Sequence, residues 1–313
     1  MIEACQSDQE WDLFNSSSPQ GSVFSSTAFL NSLEVPIDKL FFAQEGKKLA
    51  SILLVHAGAK PIFSMYQGIC LTPIQGNLHS FYNQQLKFLM ALLECLVKEY
   101  PSLEFNLSHH FDDLRAFQWI NYHEPAKGQF QLNLNYTGII SLKNEIDFDT
   151  YFNSIRSVRR YEWRQCVKNE FRVLESTDLS EFMRLYQLTF ERQGISLEQP
   201  TLDTVKRITE SAINNNFGTL TYCEDKEGKV HSASVILQHK GTYYYEFGAS
   251  DPQFRSSGAS VYLMLNNIKN AFEKNASYFD FVGINSPNRG DFKLSFNALP
   301  RPYFNVKGNF SNN

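Results

Sequence analysis

The chain has 313 residues and a formal net charge of −4, which is long enough for two ordinary domains and too acidic for a broad DNA-binding surface. Its 27 Phe and 15 Tyr make it unusually aromatic for a globular protein. Five scattered cysteines (Cys5, Cys70, Cys95, Cys166, Cys223) form no Cys-x-x-Cys pair, which implies reduced thiols in a cytoplasmic protein and neither a disulfide nor a metal framework.

From the start of the chain, MIEACQSDQEW is polar and acidic, unlike a secretory signal. A three-stranded meander is predicted next: KLFFAQ, the turn EGKK, LASILLVHAG, then KPIFSMYQG. A connection, an apolar helix over roughly 83–99 and the strand LEFNLS follow. The most apolar part of that helix, Leu86 to Val97, is too short to span a bilayer and carries Lys87 and Glu94, so no membrane span is expected. His109 and His110 then end a predicted strand. Adjacent residues of a strand point to opposite faces, so the pair is rejected as a metal site, although His109 can still line a cleft.

The stretch SIRSVRRYEWRQCVKNEFRV is predicted as a basic helix. Arg156, Arg159, Arg160, Arg164 and Lys168 share one face, and Glu162 and Glu170, which lie elsewhere on the helix, are not expected to neutralise the stripe locally. Like charges at that spacing repel, so either a phosphate-rich ligand or carboxylates of another domain should offset the cost.

The meander then recurs as GTLTYCED, the turn KEGK, VHSASVILQHK and GTYYYEFGAS, followed by a helix over 259–274 and the strand YFDFVGI. Glu45-Gly46 aligns with Glu227-Gly228, and Glu104 falls near Asp280. Two such units imply a duplicated α/β fold with domains 1–145 and 146–313, and if one half holds an anionic donor it is the second. Only the second copy has a short glycine loop before its helix. Arg255, Ser256, Ser257, Gly258, Ala259 and Ser260 there read either as a serine-capped helix start or as an anion cradle, with Arg255 adding a charge-assisted contact. Glu246, on the strand entering this loop, is a candidate general base, and Asp280, alternating with Phe279 and Phe281, is its rival or a structural carboxylate. Lys293 lies in DFKLSF between aromatic residues.

Strand, R-S-S-G-A-S loop, helix and strand resemble the cofactor-binding core of the GNAT acyltransferases, whose loop reads Gln/Arg-x-x-Gly-x-Gly/Ala; Ser260 departs from that pattern. FDFVGINSPNRGDFKLSFNALPRPYFNV, the basic helix, TFERQG (with Arg192) and YQGICLTP (with Tyr66) are similar, in order, to the Fem-type branch, which fuses two GNAT-like domains. The resemblance implies two tandem α/β (α+β) GNAT-like domains, each a mixed, mostly antiparallel sheet flanked by helices, with a cleft between them. It implies N-acyl transfer from an acyl-CoA or aminoacyl donor to an amine on a sugar-nucleotide or cell-envelope precursor, with no tightly bound cofactor. It places Lys293 at the reaction cleft, with Arg156, Arg159, Arg160, Arg192, His109 and Tyr66 toward the phosphorylated acceptor. The absence of a long charged heptad arm disfavours transfer from aminoacyl-tRNA. A duplicated fold that has lost catalysis and only binds ligand is the alternative of another class, and Ser260 speaks for it.

Overall fold

The computed structural model describes residues 1–55, 65–144 and 147–311. These divide into two compact units, one of residues 1–135 with 302–313 and the other of residues 136–301. Most of the last strand of the chain thus returns to the first unit.

The first unit begins with β1 (Ile2–Ala4), α1 (Asp8–Ser17), α2 (Thr27–Leu33), β2 (Ile37–Gln44), β3 (Lys47–Val55) and β4 (Ile69–Leu71). It continues with α3 (Leu78–Glu99), β5 (Ser102–Asn106), α4 (Arg115–Trp119) and the start of β6 (Phe130–Ser141). Strands β1 to β4 form an antiparallel sheet in that order. The β2–β3 hairpin turns at Glu45 and Gly46, both with positive φ, as the Glu-Gly pair predicts. The third strand expected at 60–68 falls partly outside the described residues, and the strand observed there starts later, at Ile69. Asn77 caps α3 through its side chain, and the buried stripe Leu89, Leu92, Leu93, Leu96 packs on Leu40, Phe42, Ile52 and Phe105. That stripe recurs at helical spacing, which is why this segment coils and buries one face.

The second unit contains α5 (Phe148–Ser154), α6 (Ser157–Lys168), β7 (Arg172–Ser176), α7 (Ser180–Glu191) and α8 (Gln199–Asn214). Then come β8 (Gly218–Glu224), β9 (Val230–His239), β10 (Thr242–Ser250), α9 (Ala259–Glu273), β11 (Tyr278–Asp280) and α10 (Pro287–Leu294), and β12 (Leu299–Asn309) closes the chain. Its strands are ordered β6-β11-β10-β9-β8-β7, with β10 and β11 parallel and the remaining pairs antiparallel. Helix α9 is the crossover that a parallel pair requires. Its face of Val261, Met264, Leu265, Ile268 and Ala271 packs with Phe279, Phe281, Phe296 and Tyr151 in one aromatic-rich core.

Candidate active site

Strands β10 and β11 stay in register from Thr242↔Tyr278 to Tyr244↔Asp280, where β11 ends and β10 runs on to Ser250. The pairing of β10 with β9 shifts between Tyr245 and Phe247. Glu246 is therefore the extra residue of a β-bulge, a device that re-aims a side chain. The bulge sits where the two parallel strands part. Gly248 follows because the Tyr245 hydroxyl occupies the place a Cβ would need, only 1.7 Å away.

The Glu246 Oε2 atom is buried and has no hydrogen-bond partner among the described residues. Burial raises the carboxyl pKa to about 8; Asp280 adds to the rise and Lys293 opposes it. Burial also lowers the Lys293 pKa to about 8, with Asp280 and Glu246 opposing the fall and Arg289 adding to it. Burial thus brings a carboxyl and an amine to similar pKa values within one another's field.

The turn after β11 is held from several sides. Asp280, fully buried, accepts from Thr137 Oγ1 at 2.5 Å and from the Val282 N–H at 2.8 Å. Thr137 Oγ1 accepts in turn from the Gly283 N–H at 3.1 Å. Lys293 Nζ donates to the carbonyls of Phe281 at 2.6 Å and Gly283 at 2.8 Å. These bonds hold Val282 at φ +51, a conformation a β-branched residue adopts only when its surroundings compel it. The geometry gives Asp280 a structural task, that of anchoring this turn.

Two further residues belong here that the sequence reading did not single out. Tyr186 on α7 is buried, and both its burial and the Glu246 charge push its phenol pKa upward, while Arg289 pulls the other way. Arg289 is exposed on α10 one turn before Lys293. Its signal was available as a second cation at i, i+4 from Lys293; Tyr186 had none, because α7 joins the site only through tertiary packing.

The loop after β10 forms a 3-10 turn over Pro252–Ser257, and Arg255 and Ser256 are exposed on it. Helix α9 is capped by Gly258 at φ +80 with no side-chain cap; no serine takes that position. Ser257 Oγ instead accepts from the Ala259 N–H at 3.2 Å, and Ser260 lies in the first turn. Gly258 also lets α6 approach, since a Cβ there would stand 3.3 Å from both Cys166 Sγ and Glu162 Cβ. Cys166 Sγ donates to the Ser257 carbonyl at 3.4 Å. The basic helix and the glycine loop, about ninety residues apart in the chain, are thus neighbours. A cavity of about 410 Å³ opens beside them, lined in part by Lys168, Phe171, Lys226, His231 and Ser257.

The basic stripe is not one uniform surface. Arg156 precedes α6 as its N-cap and pairs with Asp291 at 3.3 Å. Arg159 donates to Ser295 Oγ at 2.7 Å and to Glu162 at 2.8 Å, and lies over the Phe292 ring. The expectation that Glu162 cannot neutralise the stripe is corrected here, because the i, i+3 spacing lets it reach Arg159. Arg160 keeps a buried Nε without a hydrogen-bond partner among the described residues. Arg192 caps α7 at its C-terminus and is exposed.

Tyr66 and His109 lie in the first unit, with ring centroids 5.3 Å apart, and Tyr303 is 5.5 Å from Tyr66. His109 and His110 do not point to opposite faces as expected. They follow β5 in a turn, and their rings are 4.1 Å apart. The alternation rule failed because the strand stops at Asn106.

Residues 153–294 match the family described as Acetyltransferase (GNAT) domain. Among solved structures, FemX is 14% identical with a TM-score of 0.71, covering 100% of this chain and 98% of its own. A tandem GNAT protein from the clavulanic acid biosynthesis pathway is 8% identical with a TM-score of 0.55, covering 99% and 98%. The C-terminal domain of a putative lysylphosphatidylglycerol synthetase from Agrobacterium fabrum is 10% identical with a TM-score of 0.52, covering 96% and 91%. What these structures share with the chain is the fold, a mixed α/β arrangement of the tandem GNAT kind. No curated protein matches the sequence.

Proposed function

We propose, from the premise that residues 153–294 form a GNAT acyltransferase domain in a chain of Fem-like fold, that the second unit transfers an acyl group from a thioester to an amine. The observation that carries the reading is the unpartnered Glu246 carboxylate, set by a bulge where β10 and β11 separate and within the field of Lys293.

Each residue then has a task. The amine attacks the acyl carbon, a C–N bond forms, the C–S bond breaks, and the thiolate leaves. Glu246 takes the proton that the nitrogen sheds and passes it toward the leaving sulfur, a role suited to a pKa near working pH. Lys293 has three N–H donors, of which two hold the Phe281 and Gly283 carbonyls; the third is free to meet the developing oxyanion. Arg255, Ser256, Ser257, Gly258, Ala259 and Ser260 at the start of α9 receive the phosphates of acyl-CoA as co-substrate. Arg160, whose Nε lacks a partner, is the strongest candidate on α6 for a phosphorylated acceptor such as a sugar-nucleotide or envelope precursor, with Arg192 next. Arg156 and Arg159 serve chiefly to hold α6 against α10. Tyr66 and His109 form a polar-aromatic patch within the first unit. Five free thiols suit a reducing, cytoplasmic setting. Among the described residues, no helix is long and apolar enough to cross a membrane.

Thermal shift with acyl-CoA, followed by single-turnover transfer to an amine, tests the reading. Acyl-CoA should raise the melting temperature with concentration, and Arg255→Ala should weaken binding roughly 10- to 150-fold, the equivalent of one charge-assisted phosphate contact. A shift with charged tRNA and none with acyl-CoA would move the donor to aminoacyl-tRNA. Binding without transfer, for every donor, would leave a ligand-binding module.

A further inference from the structure

Most of the outer face of α6 lies beyond the site described above, although Arg160 was assigned to that site and Lys168 lines the cavity beside the glycine loop. The inner face is spent on packing: Cys166 is buried, the Trp163 ring meets Tyr262 at a tilt with centroids 4.6 Å apart, and Arg159 is tied to Ser295 and Glu162. Round the other half of the helix lie Val167, Arg164, Lys168, Tyr161 and Val158, with Arg160, Ser157 and Gln165 between them. The three apolar members are well exposed: Tyr161 at 61%, Val167 at 54% and Val158 at 48%. Arg164 and Lys168 are exposed too, and no carboxylate lies within ion-pair range of either among the described residues. Arg156 and Arg159 on the same segment do have such partners.

We propose that this face is a docking surface for the headgroup layer of an anionic lipid membrane. Unpaired cations on an exposed face, with an amphipathic tyrosine and two valines beside them, suit a surface contact with anionic headgroups. The cations meet the headgroups while the apolar side chains at the edges of the face pack among them. A nucleic-acid backbone would use the same cations but would gain nothing from two exposed valines, and the chain's net charge of −4 disfavours a polynucleotide. Three apolar side chains bury little area, so the docking is reversible and salt-sensitive. The proposal does not depend on the acyl-transfer reading, and its test reads membrane binding alone.

The test is co-sedimentation of the full chain with vesicles of phosphatidylcholine alone and with about one-third phosphatidylglycerol, at low and high salt. Wild type is expected to sediment with the anionic vesicles only and to be released by salt. Arg164→Gln with Lys168→Gln should weaken binding about 25-fold, roughly fivefold per cation. Tyr161→Ser with Val167→Ser keeps the charge and should weaken binding as well. Melting temperatures close to wild type for both doubles would show that the fold is intact. Failure to bind anionic vesicles overturns the proposal, as does equal binding to neutral ones. So does anionic binding indifferent to the Tyr161/Val167 pair, which would mark a surface for polyanions in general, RNA included.

Discussion

Lys293 Nζ donates to the Phe281 carbonyl at 2.6 Å, and this bond ties the last helix of the second unit to the strained turn after β11. With the companion bond to Gly283, it makes the lysine a support of the backbone that also lies within the field of Glu246.

Lys293→Met should therefore act on two measurements. Turnover in a single-turnover acyl-transfer assay should fall about 10²- to 10³-fold if the third N–H meets the oxyanion. Stability should also fall, by roughly 1–3 kcal/mol for each carbonyl left without its donor, read by denaturant unfolding. A variant of unchanged rate and lowered stability would reduce the lysine to its structural task.

The pH dependence of stability carries a sign that can be worked out. Glu246 is raised from 4.5 to about 8, so between those values the native state holds a proton the unfolded chain has lost, and stability falls as pH rises. Lys293 is lowered from 10.5 to about 8, so above pH 8 the unfolded chain holds the extra proton and stability recovers. Together the pair predicts a minimum near pH 8. Glu246→Gln should remove the decline on the acid side, and Lys293→Met the recovery on the alkaline side; melting temperatures across pH 5–10 for the three proteins check this.

Asp280→Ala should destabilise more than Asp280→Asn, by roughly 1–3 kcal/mol in urea unfolding. The asparagine oxygen can still accept from Thr137 and Val282, whereas alanine strands both buried donors. If the aspartate were instead the base, the asparagine variant would keep its stability and lose its rate.

Gly258→Ala and Gly194→Ala separate backbone strain from crowding. Both glycines have positive φ, but only Gly258 has neighbours where a Cβ would go. Each substitution should cost about 1–2 kcal/mol for the left-handed conformation. Gly258→Ala should cost measurably more, and should also loosen the contact of α6 with the loop.

Much of this architecture was legible in the residues. Apolar spacing placed α9 nearly to its ends and α3 at its C-terminal end, though α3 starts earlier, at Leu78, and the two Glu-Gly turns marked matching hairpins, because side-chain periodicity and turn chemistry are local properties. The glycine loop, Glu246 and Lys293 could be named as candidates for the same reason: each sits at a recognisable place in a strand–loop–helix order. Sequence could not say that Gly258 would displace three serines as the cap, since the deciding fact is how closely α6 approaches. Nor could it say that Arg159 would turn inward to Ser295 and Glu162 while Arg164 and Lys168 remained outside. All of them are arginines or lysines on one predicted face, and only the packing of α6 on α9 assigns an inside and an outside. The charge state of the site was likewise beyond reach of the sequence. A carboxyl and an amine move toward neutrality through burial and through one another's field, and both depend on residues brought together from α7, β10, β11 and α10 by the tertiary fold.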